Sequence, residues 1–234
     1  MNFLKLQQRL TLLRTKLYTR LIRNSFGAMG KDCTVLWSMR SHHPEGIFIG
    51  DRVFIGNDAW IDTFPRYANQ TFTPRLDIGS DTMIGHHGHI MVIGHMKIGR
   101  HVLIANGVYI SDNLHGYEDV SRPVFDQPLV HRPVEIGDEA WIGENVCVLP
   151  GVKIGRHSVI GSNSVVTRDI PPYCVAVGAP AAVIRRFDGQ EWNRVGKSDA
   201  RVAVMRSIPA ALNERVAYAH QAAAMERADA AATG

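Results

Sequence analysis

An aliphatic residue returns every six positions in five sets of three: Ile49, Ile55, Ile61; Ile78, Ile84, Ile90; Ile98, Ile104, Ile110; Ile136, Ile142, Val148; Ile154, Ile160, Val166. A period of six fits neither the 3.6 of an α-helix nor the 2 of an open-sheet strand. It is the mark of hexapeptide repeats wound into a parallel β-helix, three short strands to a coil. Two residues before each rung stands a second inward candidate, usually small or β-branched: Val53, Ala59, Val102, Val108, Val134, Ala140, Val146, Val152, Ser158 and Ser164 among them. Glycine follows nine of the fifteen rungs. Glycine, Asn and Asp tolerate tight-turn conformations, so the corners are expected there. One coil cannot hide its own apolar face, and stability must come from coils stacked about 4.8 Å apart.

The ladder breaks at residues 62–77, 91–97 and 111–135. Loops extruded from a rigid solenoid are where function concentrates. The 234 residues and 45% apolar composition suit one soluble domain with appendages. The three cysteines, Cys33, Cys147 and Cys174, are widely spaced, and no CxxC pair occurs among them. That suggests neither a disulfide framework nor a cysteine zinc site, and fits a reducing cytoplasm best. No long uncharged apolar run or small-residue cleavage site opens the chain, so neither a signal peptide nor a spanning helix is expected.

The formal charge of +4 is uneven: residues 1–31 carry seven Lys or Arg and no acid. Leu6, Leu10, Leu13, Leu17 and Leu21 recur there at helical spacing, which predicts a basic amphipathic helix over residues 1–30. Its leucine face has two readings: packing on the end of the β-helix or a neighbouring subunit, or peripheral contact with a membrane through residues 1–25. Elsewhere the basic and aromatic interleaving of a nucleic-acid surface is missing. Asp169-Ile170-Pro171-Pro172 is expected to end the regular coils, because proline supplies no amide hydrogen to a neighbouring strand. Residues 173–187 read as a strand and turn. The segment 188–234, alanine-rich from about 209, reads as a helical extension.

Of the eleven histidines, His115 is singled out. It lies in Ser111-Asp112-Asn113-Leu114-His115-Gly116-Tyr117, where the chain leaves the third coil for its longest loop. An imidazole at a rigid edge, with the Asp112 carboxylate three residues away, has the makings of a general base. His86, His87, His89, His95 and Asn106 surround the short break. Of these, His89, His95 and Asn106 are the candidates for contact with an acceptor. Cys147 falls inside a coil and reads as a small core residue.

The strings YISDNLHGYED and VEIGDEAWIGENVCVLPGVKIGRHSVIGSNSVVTRDIPPYCVAVGAPAAVIRR resemble the hexapeptide-repeat acyltransferases. The similarity is closest to bacterial sugar and polysaccharide O-acetyltransferases, and it spans Ile98 to Arg185. The resemblance implies a left-handed β-helix, an exception to the right-handed crossover rule. It also implies direct acetyl transfer from acetyl-CoA in a ternary complex, with no metal and no acyl-enzyme. His115 matches the family's catalytic histidine, with Asp112 as a partner that orients the ring or caps the turn. Trp141 matches an aromatic beside the thioester and pantetheine. Ser162, Thr167 and Arg168 match positions lining the CoA groove, and Arg185 a basic residue near the nucleotide phosphates. Glu144, in the same groove, replaces a small polar residue, and Ala182 stands where some members carry a second arginine.

The family's sites lie between subunits of a homotrimer, and the acceptor implied is a saccharide of capsule, O-antigen or exopolysaccharide, in free or lipid-linked form. The place implied is the bacterial cytoplasm, including the inner face of its membrane. Two other readings use the same repeats. One is a γ-class carbonic-anhydrase-like zinc enzyme, against which the next histidine after His115 comes only at His131. The other is a non-catalytic β-helix scaffold.

Overall fold

The computed structural model describes residues 3–195. Its β-helix is a triangular prism of three parallel sheets, and the fifteen rungs stack in register along them. On the first face Ile49, Ile78, Ile98, Ile136 and Ile154 are successive partners. On the second the column is Ile55, Ile84, Ile104, Ile142 and Ile160. On the third it is Ile61, Ile90, Ile110, Val148 and Val166. No rung is more than 4% exposed. The second inward set is buried with them. Where it is polar its hydroxyl is satisfied: Ser158 donates to the Pro171 carbonyl at 2.7 Å and Ser164 to that of Gly161 at 2.6 Å.

The corners follow one rule. The third residue past a first- or second-face rung has a left-handed backbone, with φ between 52° and 62° at Arg52, Asp58, Asp81, His87, His101, Glu139, Asn145, His157 and Asn163. Gly107 meets that demand with glycine, and Gly151 takes the same hand past the third-face rung Val148. The glycines directly after the rungs have another purpose, which corrects the expectation that they make the turn. A Cβ on Gly79 would sit 2.6 Å from the Gly99 carbonyl carbon and oxygen and 2.7 Å from the Arg100 nitrogen. Glycine is needed there because one coil touches the next backbone to backbone.

The coils extend beyond the ladder at both ends. Met29 pairs with Ile49 and Val35 with Ile55, so the first coil begins inside the segment assigned to the helix. At the other end Ile170 bridges Ile154, and Ala176 pairs with Ile160. Pro171 and Pro172 therefore turn a corner without ending the coils. Ile170 still donates its amide to Lys153, and Tyr173 donates its own to Arg156. The strands Cys174–Val177, Ala182–Phe187 and Trp192–Arg194 then add an antiparallel extension to the second face. Residues 188–195 are turn and strand instead of helix; the remainder of the expected helical extension lies outside the described residues.

The helix α1, Phe3–Ile22, caps the open first coil. It does so with its threonine face. Thr15 and Thr19 are buried. The Thr19 hydroxyl accepts from the Val35 amide at 3.0 Å and donates to its carbonyl at 3.1 Å. Tyr18 donates to the Met39 carbonyl at 3.2 Å. Edge groups that would otherwise seek another strand are thus satisfied. Leu10, Leu13, Leu17 and Leu21 point elsewhere, 58–71% exposed. The expectation of a leucine face packed on this end of the coil is corrected: hydroxyls, able to serve an open strand edge, take that place.

Truncating a central rung tests the register. Ile104→Ala is expected to cost about 2–5 kcal/mol, the range for emptying a packed core site. Gly79→Ala should cost about 1–3 kcal/mol through overpacking between coils. Urea unfolding monitored by circular dichroism measures both, and a Gly79→Ala protein as stable as wild type would refute the close-approach account.

Candidate active site

All three ladder breaks leave the prism at one edge, because each follows a third-face rung: Ile61, Ile90 or Ile110. The first break forms a hairpin of Arg66–Tyr67 with Gln70–Thr71. The longest forms a hairpin of Asn113–His115 with Leu129–His131. The two hairpins are locked together by Gln70, which accepts from the Leu129 amide at 2.7 Å and donates to its carbonyl at 3.1 Å. That lock brings Tyr67 against His115, with the hydroxyl 3.4 Å from Nδ1 and the rings edge to face at 5.4 Å. Tyr67 also donates to the Phe125 carbonyl at 3.3 Å. The His115 side chain is exposed, and among the described residues its Nε2 has no hydrogen-bond partner. Neither Tyr67 nor Gln70 was singled out from sequence; the only signal was an aromatic and an amide inside a ladder break.

Asp112 spends its carboxylate elsewhere. Fully buried, it accepts from the Ile93 and Gly94 amides, both at 2.9 Å, and from Asn113 Nδ2 at 3.1 Å, and it lies 3.3 Å from His131 Nε2. Of the two roles expected for it, this geometry serves the turn. Gly94 makes room for His131, whose ring occupies the space a Cβ would need. The other hairpin is rooted in the same manner. Buried Asp62 accepts from the amides of His42, His43 and Thr63, from Trp60 Nε1 at 3.3 Å, and from His42 Nδ1 at 2.6 Å. Burial pushes the Asp62 carboxyl up, but the bonds from His42, His43 and Trp60 outweigh it and hold the group below the usual carboxylate range.

The residues expected to bind a cofactor divide between two places. Trp141, Val159, Val175 and Arg185 are aligned on four successive strands of the second face. With strands about 4.8 Å apart, the column is roughly 14 Å long. Trp141 Nε1 is buried without a partner among the described residues, and Arg185 is exposed. Glu144 and Ser162 follow second-face rungs, on the edge beside that column. Glu144 accepts from Asn106 at 3.3 Å. Thr167 and Arg168 are exposed on the edge that carries His115. In a three-sided prism that edge lies opposite the second face, so one chain does not unite His115 with Trp141 and Arg185.

The acceptor candidates are spread as well. His89 stacks on Trp60 at 4.9 Å and meets Tyr109 edge-on at 5.2 Å on the third face, and burial, aided by the Arg40 charge, pushes its pKa down. His95, on the first face, pairs with Asp77 at 2.7 Å. Asn106, on the edge between the second and third faces, also accepts from the His86 amide at 2.8 Å. Burial raises the Cys147 thiol, which disfavours a nucleophilic thiolate. Among the described residues no group of three His, Cys, Asp or Glu is arranged to hold a metal ion.

The family model "Bacterial transferase hexapeptide (six repeats)" matches residues 133–168. The galactoside O-acetyltransferase of Escherichia coli is 31% identical over 164 residues, covering 68% of this chain and 78% of the relative. The chain belongs to the hexapeptide-repeat acyltransferases. Membership of that family implies the left-handed winding. A hexapeptide-repeat containing acetyltransferase from Vibrio cholerae has a similar structure, with a TM-score of 0.52 and 26% identity over 77% of this chain and 88% of that one. A Mycobacterium tuberculosis relative named "Probable acetyltransferase" is 35% identical over 170 residues, which is 73% of this hexapeptide-repeat chain but only 45% of the relative. The chain therefore spans under half the length of that relative.

Two substitutions probe how the hairpins are held. Gln70→Ala should speed hydrogen exchange at the Leu129 amide while leaving the melting temperature of the coils within a few degrees of wild type, since one such pair is worth about 1 kcal/mol. Unchanged protection at Leu129 would rule out the lock. Asp62→Asn should destabilise by about 1–3 kcal/mol at neutral pH. A carboxyl with a lowered folded pKa stabilises above its unfolded value and loses that contribution as pH falls through the folded one. The wild-type advantage should thus disappear in acid, as measured by urea unfolding across pH; a pH-independent difference would contradict the assignment.

Proposed function

We propose that this chain transfers an acetyl group from acetyl-CoA to a saccharide hydroxyl, with His115 as the general base. The observation that carries the reading is the exposed imidazole at the loop edge, held on Nδ1 by Tyr67 and open at Nε2. The acceptor hydroxyl gives its proton to Nε2 as its oxygen attacks the thioester carbonyl. The carbon–sulfur bond then breaks, and the proton leaves with the CoA thiol. No covalent enzyme intermediate is formed.

The second-face column suits an extended thioester ligand. Trp141 offers a half-buried flat apolar surface, while Arg185 supplies an exposed guanidinium fitted to phosphate. Glu144 adds a carboxylate beside the column. It is tied to Asn106, so in this reading it borders the ligand without meeting the phosphates. Because His115 and the column occupy opposite sides of the prism, the reading requires a second copy to complete each site. A cyclic homotrimer supplies that arrangement three times over. Thr167 and Arg168, on the edge with His115, then face the same groove from one copy while Ser162 and Trp141 face it from the next. The likeness to a galactoside O-acetyltransferase supports a sugar acceptor, and a capsule, O-antigen or exopolysaccharide precursor is the class proposed, acetylated on the cytoplasmic side.

His115→Ala should lower acetyl transfer by roughly 10² to 10⁴, the range for losing a positioned acid-base group, with stability and acetyl-CoA affinity kept. Near-normal turnover would end the catalytic assignment. Mixed assemblies test the shared site: His115→Ala and Arg185→Ala chains, each poorly active alone, should recover about a quarter of wild-type sites on random mixing. No recovery, or a stable monomer in sedimentation, would defeat the intersubunit model.

A further inference from the structure

The geometry points to α1 as a docking element for an anionic bilayer surface, lying in the headgroup plane with its leucine stripe down. At 100° per residue Leu10, Leu13, Leu17 and Leu21 fall within an arc of about 80°. The opposite side of the helix is committed to the first coil through Thr15, Tyr18 and Thr19. The stripe is therefore not the face that holds the helix in place. It is left over after the fold is complete.

What borders the stripe identifies the occupant. Arg9, Lys16 and Arg20 line one flank. Arg14 lines the other, its guanidinium 3.8 Å over the ring of Trp37, which is itself 52% exposed. Residues 1–31 contain no acid. Two copies of this helix laid stripe to stripe would press these cations together with no carboxylate from the segment to offset them. A bilayer carrying anionic headgroups meets both halves of the surface at once, acyl chains receiving the leucines and headgroups the cations. The aromatic Trp37 beneath Arg14 adds a side chain of the type that settles at such a boundary. Among the described residues no helix is long and apolar enough to cross a membrane, and the contact inferred here is in-plane. It does not depend on the transfer chemistry.

The test uses the full chain in flotation with vesicles of phosphatidylcholine alone or phosphatidylcholine with phosphatidylglycerol. Binding to the second kind only, lost at high salt, is expected. A Leu13→Glu, Leu17→Glu double variant should lose flotation while its sedimentation coefficient and melting temperature match wild type, since both side chains are exposed. A Lys16→Glu, Arg20→Glu variant should lose it too. Failure of the wild type to float, flotation that survives the leucine changes, or a smaller assembly in the leucine variant would each overturn the inference, the last by assigning the stripe to a neighbouring copy. Transferase activity on a water-soluble sugar, unchanged in these variants, keeps this test separate from that of the proposed reaction.

Discussion

Everything in this molecule hangs on register. Each rung lies directly over its counterpart, so a column such as Ile55, Ile84, Ile104, Ile142 and Ile160 is a continuous stack of one residue type across 105 positions of chain. A slip by one residue would turn every rung outward. Backbone hydrogen bonds run between coils and none of the three sheets can stand without the other two, so the corners must repeat with the same fidelity. The left-handed residue three past each first- and second-face rung is that repeat unit, and the glycines after eight of the rungs let the coils close to backbone contact.

The ladder and all fifteen rungs were legible in the sequence because period and burial are one-dimensional signals. The corners were legible in position but not in cause. Glycine marks them, yet the strained conformation falls two residues later on Asp, Asn, Arg, His or Glu, and sequence alone does not separate conformational need from crowding by a coil that lies 18, 20, 29 or 38 residues away. Part of the histidine content finds its reason there: His87, His101 and His157 are corner residues. The prolines at 171 and 172 misled because the residues on either side of them, Ile170 and Tyr173, still donate their amides to the preceding coil.

The candidate site was legible only in part. His115 stands out through its place at a ladder break. Its neighbour Tyr67 is 48 residues away, and only the pairing of Gln70 with Leu129 brings it near. Asp112, close in sequence, is turned to the amides of Ile93 and Gly94. Three residues of separation at the root of a hairpin is enough to put two side chains to different tasks. The helix illustrates the same limit: a leucine period announces an apolar face without saying what will cover it, and the open strand at Val35 selected hydroxyls instead.

That every break in the ladder leaves from one edge has a consequence for how such a chain can diversify. A solenoid transmits little strain sideways, because each coil answers only to the coils above and below it. Hairpins rooted on buried Asp62 and Asp112 and locked to each other by Gln70 form one cassette, lengthened or exchanged without disturbing the other two edges or the columns inside. Chemistry at that edge and architecture everywhere else are thereby free to change at different speeds.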